Sequence, residues 1–270
     1  MRTILLGLIL GQAILLPVAY KWELDLNKTI FGGLAIGLIA GILTKVLSLF
    51  VFMNVYWELL SIVVLIPVLS LVTLLAWFFR DTERKPPERT DIVIAPADGT
   101  IKYIKSIKEG SIPLSSKGRE NVALSAPLLS VLPRMEGYLI GIAMTFLDVH
   151  VTRAPVDGEI VFFQHIDGSF ISLKKPDAPY KNERVVQVIR NGKMSLGLIH
   201  IASRLVRRID SYVKEGDRLR LGQRIGMIRF GSQVDIVVPR HENLQIHVNV
   251  GDRVFAGVTI IAEVQGEGHY

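Results

Sequence analysis

The first 79 residues alternate long apolar runs with short polar breaks, and the remainder does not. Residues 59–79, LLSIVVLIPVLSLVTLLAWFF, carry no charge over 21 positions. At about 1.5 Å per helical residue this run spans roughly 30 Å of hydrocarbon. Pro67 inside it predicts a kink, which membrane helices tolerate, and Trp77 near its end suits an interface. Residues 30–57 form a second run, interrupted by Lys45, which is read as snorkelling to an interface or paired within a bundle. Its GGLAIGLIAG stretch is rich in small residues that let helices approach closely. Residues 3–20 form a third run behind Arg2; without a small-x-small cleavage site it is read as a span rather than a signal peptide.

After residue 90 the pattern changes to short Val/Ile-rich runs, about ten residues apart, broken by Gly and Asp. That predicts a mostly β (α+β) domain, a compact sandwich or barrel-like unit. Two internal echoes support it. APADGTI at 95–101 recurs as APVDGEI at 154–160, and VKEGDRLRLGQRIG at 213–226 recurs loosely as VNVGDRVFAGVTII at 248–261. Pro, Asp-Gly and Gly-Asp mark turns, so the echoes read as hairpins related by rough symmetry. One helix is expected, over 199–213, where Ile201, Leu205, Ile209 and Tyr212 fall at helical spacing. Arg204, Arg207 and Arg208 lie on its other side, as a solvated face or as phosphate ligands. Residues 122–132 read equally as an interfacial helix or as core.

Charge refines the division. Residues 1–79 hold four basic and three acidic residues, leaving 27 Lys/Arg and 22 Asp/Glu for the rest. The modest basic excess suits an anionic lipid surface and is too diffuse for nucleic acid. Arg80, Arg84, Lys85 and Arg89 follow the last apolar run, a cluster that stays on the cytoplasmic side, and Pro86-Pro87 stiffens the segment. The expected organisation is therefore a membrane anchor at 1–80 with two to three helices, a basic linker at 81–90, and a domain at 91–270 on the cytoplasmic face of the cell membrane. The chain has no cysteine, which excludes disulfides, thiolate chemistry and Cys-type zinc sites. No metal is expected.

Three residue types fit nucleophile activation. Ser232 lies in IRFGSQVDIVV, where a strand-like run carries Gly231-Ser232 in its middle. A serine hydroxyl needs a base, and His150, in TFLDVHVTRAPVDG, sits just before a proline turn. Asp98, in APADGT, is a turn carboxylate able to fix the imidazole tautomer. An Asp before Gly is also an ordinary turn former, and His165, His200, His241 and His247 compete as bases.

FLDVHVTRAPVDGEI, followed by GDRLRLGQRIGMIRFGSQVD, resembles the phosphatidylserine decarboxylase proenzymes, in particular their short, archaeal-type branch. The resemblance covers roughly residues 90–240. It implies that Ser232 attacks the Gly231 carbonyl and the backbone opens. A β chain then ends at Gly231, and a 39-residue α chain begins with a pyruvoyl group made from Ser232. It further implies a Schiff base between that ketone and the serine amine of phosphatidylserine or archaetidylserine, loss of CO₂, and no external cofactor. His150 would handle protons and Asp98 would orient it. Arg153, Arg207 and Arg208 are the candidate phosphate ligands. Two departures stand out: Gln233 follows Ser232 where many relatives have Ser or Thr, and Arg153 replaces the second histidine of longer relatives. Exposed sheet edges are compatible with a homodimer. The rival readings are a lipoyl/biotinyl-like carrier module using Lys193-Met194 and a membrane-anchored serine hydrolase, which lacks a G-x-S-x-G elbow.

Overall fold

The computed structural model describes residues 1–21, 25–108, 136–145, 147–168, 182–192, 194–202, 209–229 and 232–264. The interfacial segment expected at 122–132 lies outside these. The chain divides into two compact units, Met1–Trp77 and Phe78–Tyr270.

The first unit contains three helices, α1 (Arg2–Lys21), α2 (Leu26–Phe50) and α3 (Val55–Phe78), the last residue of α3, Phe78, belonging to the second unit. Each is long and apolar enough to cross a membrane. Asp25 caps α2 by accepting from the Lys28 backbone N–H at 3.0 Å. Asn54 does the same for α3, its side chain accepting from Tyr56 and Trp57. The small residues act as their spacing predicts. A Cβ on Gly7 would lie 2.3 Å from the Gly37 carbonyl oxygen, and one on Gly11 would lie 2.4 Å from that of Gly33. Glycines four apart on both helices thus bring two backbones into contact. Buried Glu58 of α3 accepts from Arg2 at 2.9 Å and Thr3 at 3.2 Å, pairing charge within the bundle.

Gly37→Leu is expected to separate α1 from α2, because its Cβ would meet the Gly7 carbonyl oxygen at 2.3 Å. Overpacking against backbone costs about 1–3 kcal/mol. Gly32→Leu is the control, since nothing lies within 4 Å of a Cβ there. Thermal unfolding in detergent should show a lower midpoint for the first variant and not for the second.

The second unit is built from strands: β1 (Ile92–Ile94), β2 (Gly99–Ile107), β3 (Gly137–Ala143), β4 (Val151–Arg153), β5 (Gly158–Ile166), β6 (Arg184–Asn191), β7 (Met194–Ala202), β8 (Ile209–Ser211), β9 (Arg218–Leu219), β10 (Arg224–Ile228), β11 (Ser232–Pro239), β12 (Leu244–Ile246), β13 (Arg253–Val254) and β14 (Ile260–Val264). Eight form one sheet in the order β13-β2-β3-β11-β7-β6-β5-β9. Two three-stranded sheets, β1-β14-β12 and β4-β10-β8, complete the unit. The mostly β expectation holds. β11 is central, antiparallel to β3 on one side and to β7 on the other.

The helix expected over 199–213 is replaced by β7 and β8, with residues 203–208 outside the described chain. Leu198 and Ala202 of β7 join the larger core cluster, whereas Ile199 and Ile201 join a second cluster. A strand buried on both faces has no polar alternation, so its apolar residues also satisfy a helical spacing.

The sequence echoes are a structural pseudo-twofold. Asp98 Oδ1 accepts from the Ala256 N–H at 2.8 Å, and Asp157 Oδ1 accepts from the Leu221 N–H at 2.8 Å. Ala256 and Leu221 hold the same place in GDRVFAG and GDRLRLG. Gly257 N donates to Ala95 O and Gly222 N to Ala154 O, both at 2.9 Å. The two copies join reciprocally, Ile94 N to Pro155 O and Arg153 N to Pro96 O. Gly257 and Gly222 have φ of 77° and 74°, a left-handed conformation that favours glycine at both equivalent turns.

Candidate active site

Strand register brings the candidate residues to one end of the large sheet. Thr100 of β2 pairs with Ala143 of β3, Ala143 with Gln233 of β11, and Gln233 with Ile201 of β7. Asp98 therefore precedes β2, the 144–150 segment leaves β3, and Ser232 begins β11, all at the same end of adjacent strands. Neighbouring strands lie about 4.8 Å apart, so β2 and β11 are separated by roughly 10 Å. The Asp98 turn is held close by Gly99, where a Cβ would lie 2.4 Å from the Ala143 carbonyl oxygen. From the other side, β10 delivers the chain to β11. The Ile228 N–H donates to the His150 carbonyl at 3.1 Å, four positions before Ser232. Gly231 lies outside the described residues, and residue 232 is described by its backbone.

His150 is fully buried. Its Nδ1 lies 2.9 Å from the Asp148 carbonyl oxygen. A carbonyl only accepts, so Nδ1 carries the proton and Nε2 bears a lone pair. Nε2 is buried and has no hydrogen-bond partner among the described residues. The Phe78 ring covers the imidazole with centroids 4.1 Å apart. Burial is the main cause of a pKa lowered to about 4, opposed by Asp148 and Asp98 and reinforced by Arg80. His150 is thus a neutral base above that pH. The loop presenting it is tied down through the Asp148 carboxylate. That group accepts from the Thr145 N–H at 2.6 Å and its hydroxyl at 2.9 Å, and it pairs with Arg253.

Asp98 is 3% exposed and is engaged by a different partner from the one its motif suggests. Arg84 grips both carboxylate oxygens, with Nη2 to Oδ2 at 2.8 Å, and also donates to the Ala256 carbonyl at 2.8 Å. The imidazole is oriented by the Asp148 backbone instead. Asp98 contributes to the histidine through its charge. Arg84 belongs to a segment laced along the second unit. Asp81 pairs with Arg224 at 2.6 Å, Glu83 pairs with Arg224 at 2.5 Å, and Arg80 donates to the Leu147 carbonyl at 2.7 Å.

Arg153 is 5% exposed and aims its fork at backbone, donating to Gly222 O at 3.0 Å and Thr82 O at 2.9 Å, with Asp81 at 3.5 Å. Arg207, Arg208 and Lys193 lie outside the described residues. Among the competing histidines, His165 pairs with Glu183 at 2.9 Å and His247 with Glu263 at 3.2 Å. His200, in contrast, is buried in β7.

One polar cluster escapes sequence reading altogether. Tyr103 of β2 donates to Asp235 Oδ2 at 2.7 Å, and Gln233 Nε2 donates to Asp235 Oδ1 at 2.7 Å. The Tyr103 ring crosses β3 at Gly141, where a Cβ would lie 2.4 Å from its Cζ. Burial raises the Asp235 pKa to about 6, against the two hydrogen bonds. Positions 233 and 235 share a face opposite position 232. The cluster pins β11 in register, because a one-residue slip would move Asp235 to the other face. Gln233, which stands where many relatives have Ser or Thr, has this structural task.

A family model described as phosphatidylserine decarboxylase matches residues 71–262. A Methanocaldococcus jannaschii protein, provisionally named an archaetidylserine decarboxylase proenzyme, is 40% identical over 199 residues, covering 73% of this chain and 93% of its own. A protein of the same name from Methanothermobacter thermautotrophicus is 40% identical over 197 residues, covering 72% and 82%. A phosphatidylserine decarboxylase proenzyme from Carboxydothermus hydrogenoformans is 33% identical over 199 residues, covering 74% and 84%.

Proposed function

This chain belongs to the phosphatidylserine decarboxylase family and is a carboxy-lyase, and we propose that it decarboxylates a serine-headgroup phospholipid after cutting itself between Gly231 and Ser232. The carrier and serine hydrolase readings fall with this membership. The observation that carries the proposal is the convergence at one sheet end of the Asp98 turn, buried His150 with its bare Nε2, and the start of central strand β11.

In this reading the Ser232 hydroxyl gives its proton to His150 Nε2 and attacks the Gly231 carbonyl. The proton passes to the departing amide nitrogen, leaving an ester between Gly231 and the serine oxygen. The positive imidazole that forms in between is favoured by the negative charges of Asp148 and Asp98. Elimination across Cα and Cβ of residue 232 releases the Gly231 carboxylate, and water displaces ammonia from the remainder. The product is a pyruvoyl group at the head of the 39-residue fragment. Its ketone takes up the substrate amine and the electrons left by departing CO₂, as pyridoxal phosphate does elsewhere.

The surroundings fit such a group. Ladder bonds to β3 and β7, with the Asp235 pin behind, would keep the new end in place once the chain is cut. Arg207 and Arg208 are the proposed phosphate ligands, since Arg153 is committed to Thr82 and Gly222. Three spans would put Met1 and Arg80 on opposite sides of the membrane. The cationic cluster at 80–89 supports a cytoplasmic catalytic unit. The full chain, assayed in vesicles with either diacyl phosphatidylserine or its archaeal diether analogue, should convert the serine headgroup to ethanolamine with CO₂ release. The relatives at 40% identity favour the diether, so its turnover should at least match that of the diacyl lipid. Failure to decarboxylate either lipid would sink the proposal.

A further inference from the structure

His200 is 2% exposed, and among the described residues neither of its ring nitrogens has a hydrogen-bond partner. Buried polar groups are nearly always bonded, so an imidazole with two bare nitrogens calls for a reason. The ring lines a narrow internal cavity with Thr152, Gln187, Ile225 and Gly226. Thr152 Oγ1 and Gln187 Oε1 are also buried there without partners among the described residues. Burial holds the His200 pKa down to about 4, so the neutral ring offers one N–H donor and one acceptor nitrogen.

Register puts this residue beside position 232. His200 pairs with Val234, and Ala202 pairs with Ser232. Positions 200, 202, 232 and 234 therefore share one face of the sheet, and 200 is the diagonal neighbour of 232. Diagonal neighbours lie about 7–8 Å apart at the backbone, within reach of a long side chain. The chemistry at position 232 changes hydrogen-bond sense during processing. The amide N–H of the serine, a donor, is replaced by a ketone oxygen, an acceptor. An acceptor created there needs a donor, and His200 is a buried neutral donor without a partner among the described residues.

We infer that His200 is a further binding residue for the reaction, donating a hydrogen bond to the ketone oxygen carried at position 232 after processing. The inference rests on the self-cleavage reading above. In this role His200 polarises the carbonyl and fixes its plane, and His150 remains free for proton transfer.

The test uses the full chain in lipid nanodiscs, with phenylhydrazine capture of the ketone followed by mass spectrometry of the small fragment. His200→Leu should be cut as the parent is, yet be captured roughly tenfold or more slowly. Its kcat should fall by a similar factor with little change in KM. His200→Gln keeps an N–H donor and should retain capture and turnover within about threefold. Wild-type capture by the Leu variant would overturn the inference, as would equal impairment of both variants, which marks a packing role. Cleavage of the Gln but not the Leu variant would also overturn it, by moving His200 to the earlier step. No hydrazone on the parent protein would remove the pyruvoyl reading itself, and this inference with it.

Discussion

Ser232→Ala should leave the protein as a single 30.1 kDa chain with no decarboxylase activity. Alanine removes the oxygen proposed to attack Gly231 and the leaving group that the proposed elimination requires, so the loss should be complete rather than graded. The parent protein should run as two fragments, the smaller of 39 residues and blocked at its amino end. Folding should survive the substitution. The backbone at 232 pairs with Ala202, and β11 keeps its ladders to β3 and β7 and its Tyr103–Asp235 bond. Intact mass and lipid turnover on one preparation decide the matter. Full activity in an uncut chain with an ordinary seryl side chain would end the self-cleavage proposal.

The second large effect concerns His150. Glutamine there can still donate to the Asp148 carbonyl but cannot accept a proton at the Nε2 position. The cleavage rate should fall about 10²–10⁴-fold, the usual worth of a general base. Chains made by cell-free translation into nanodiscs would give the rate from the appearance of the small fragment. The pH dependence tests the same group in the parent. The base works only when neutral, so the rate should fall on acidification through about pH 4, the buried pKa, and not through the ordinary histidine value of 6.5. A limb near 6.5 would mean that the working base is exposed, and His150 would lose the assignment.

These depressed values also set the direction of acid stability. Unfolded histidines take up protons below pH 6.5 that folded His150 and His200 refuse until about pH 4. Stability is lost as pH falls through that window. Asp235 works the other way: its folded pKa of about 6 lies above the unfolded 3.8, so acidification from 6 to 3.8 favours the fold. With two histidines against one carboxyl, the net trend among these three groups is destabilisation toward acid.

Much of the architecture could be read along the chain because its signals are local. A membrane helix announces itself by uninterrupted apolar length, and small residues spaced at one turn announce a close crossing, as Gly33 and Gly37 of the GGLAIGLIAG stretch do. The duplicated Asp-Gly and Gly-Asp turns revealed a pseudo-twofold before any strand was paired. The 199–213 segment misled for a definite reason. Its strand is buried on both faces, which erases the alternation that separates strand from helix. The Asp98 motif was recognisable, but not its partner, since nothing near it in sequence names Arg84.

From sequence alone came the division into an apolar anchor and a β-rich unit, the family, and the residues Ser232, His150 and Asp98 as the ones to consider. Periodicity, turn chemistry and motif spacing act over a few residues and are written in order along the chain. Tertiary structure alone decided that Arg84 grips Asp98, that Phe78 covers the His150 imidazole while the Asp148 carbonyl holds its Nδ1, and that His200 and position 232 share a face. Those facts depend on register between strands distant in sequence and on desolvation by residues brought from elsewhere, and neither is encoded in any local pattern.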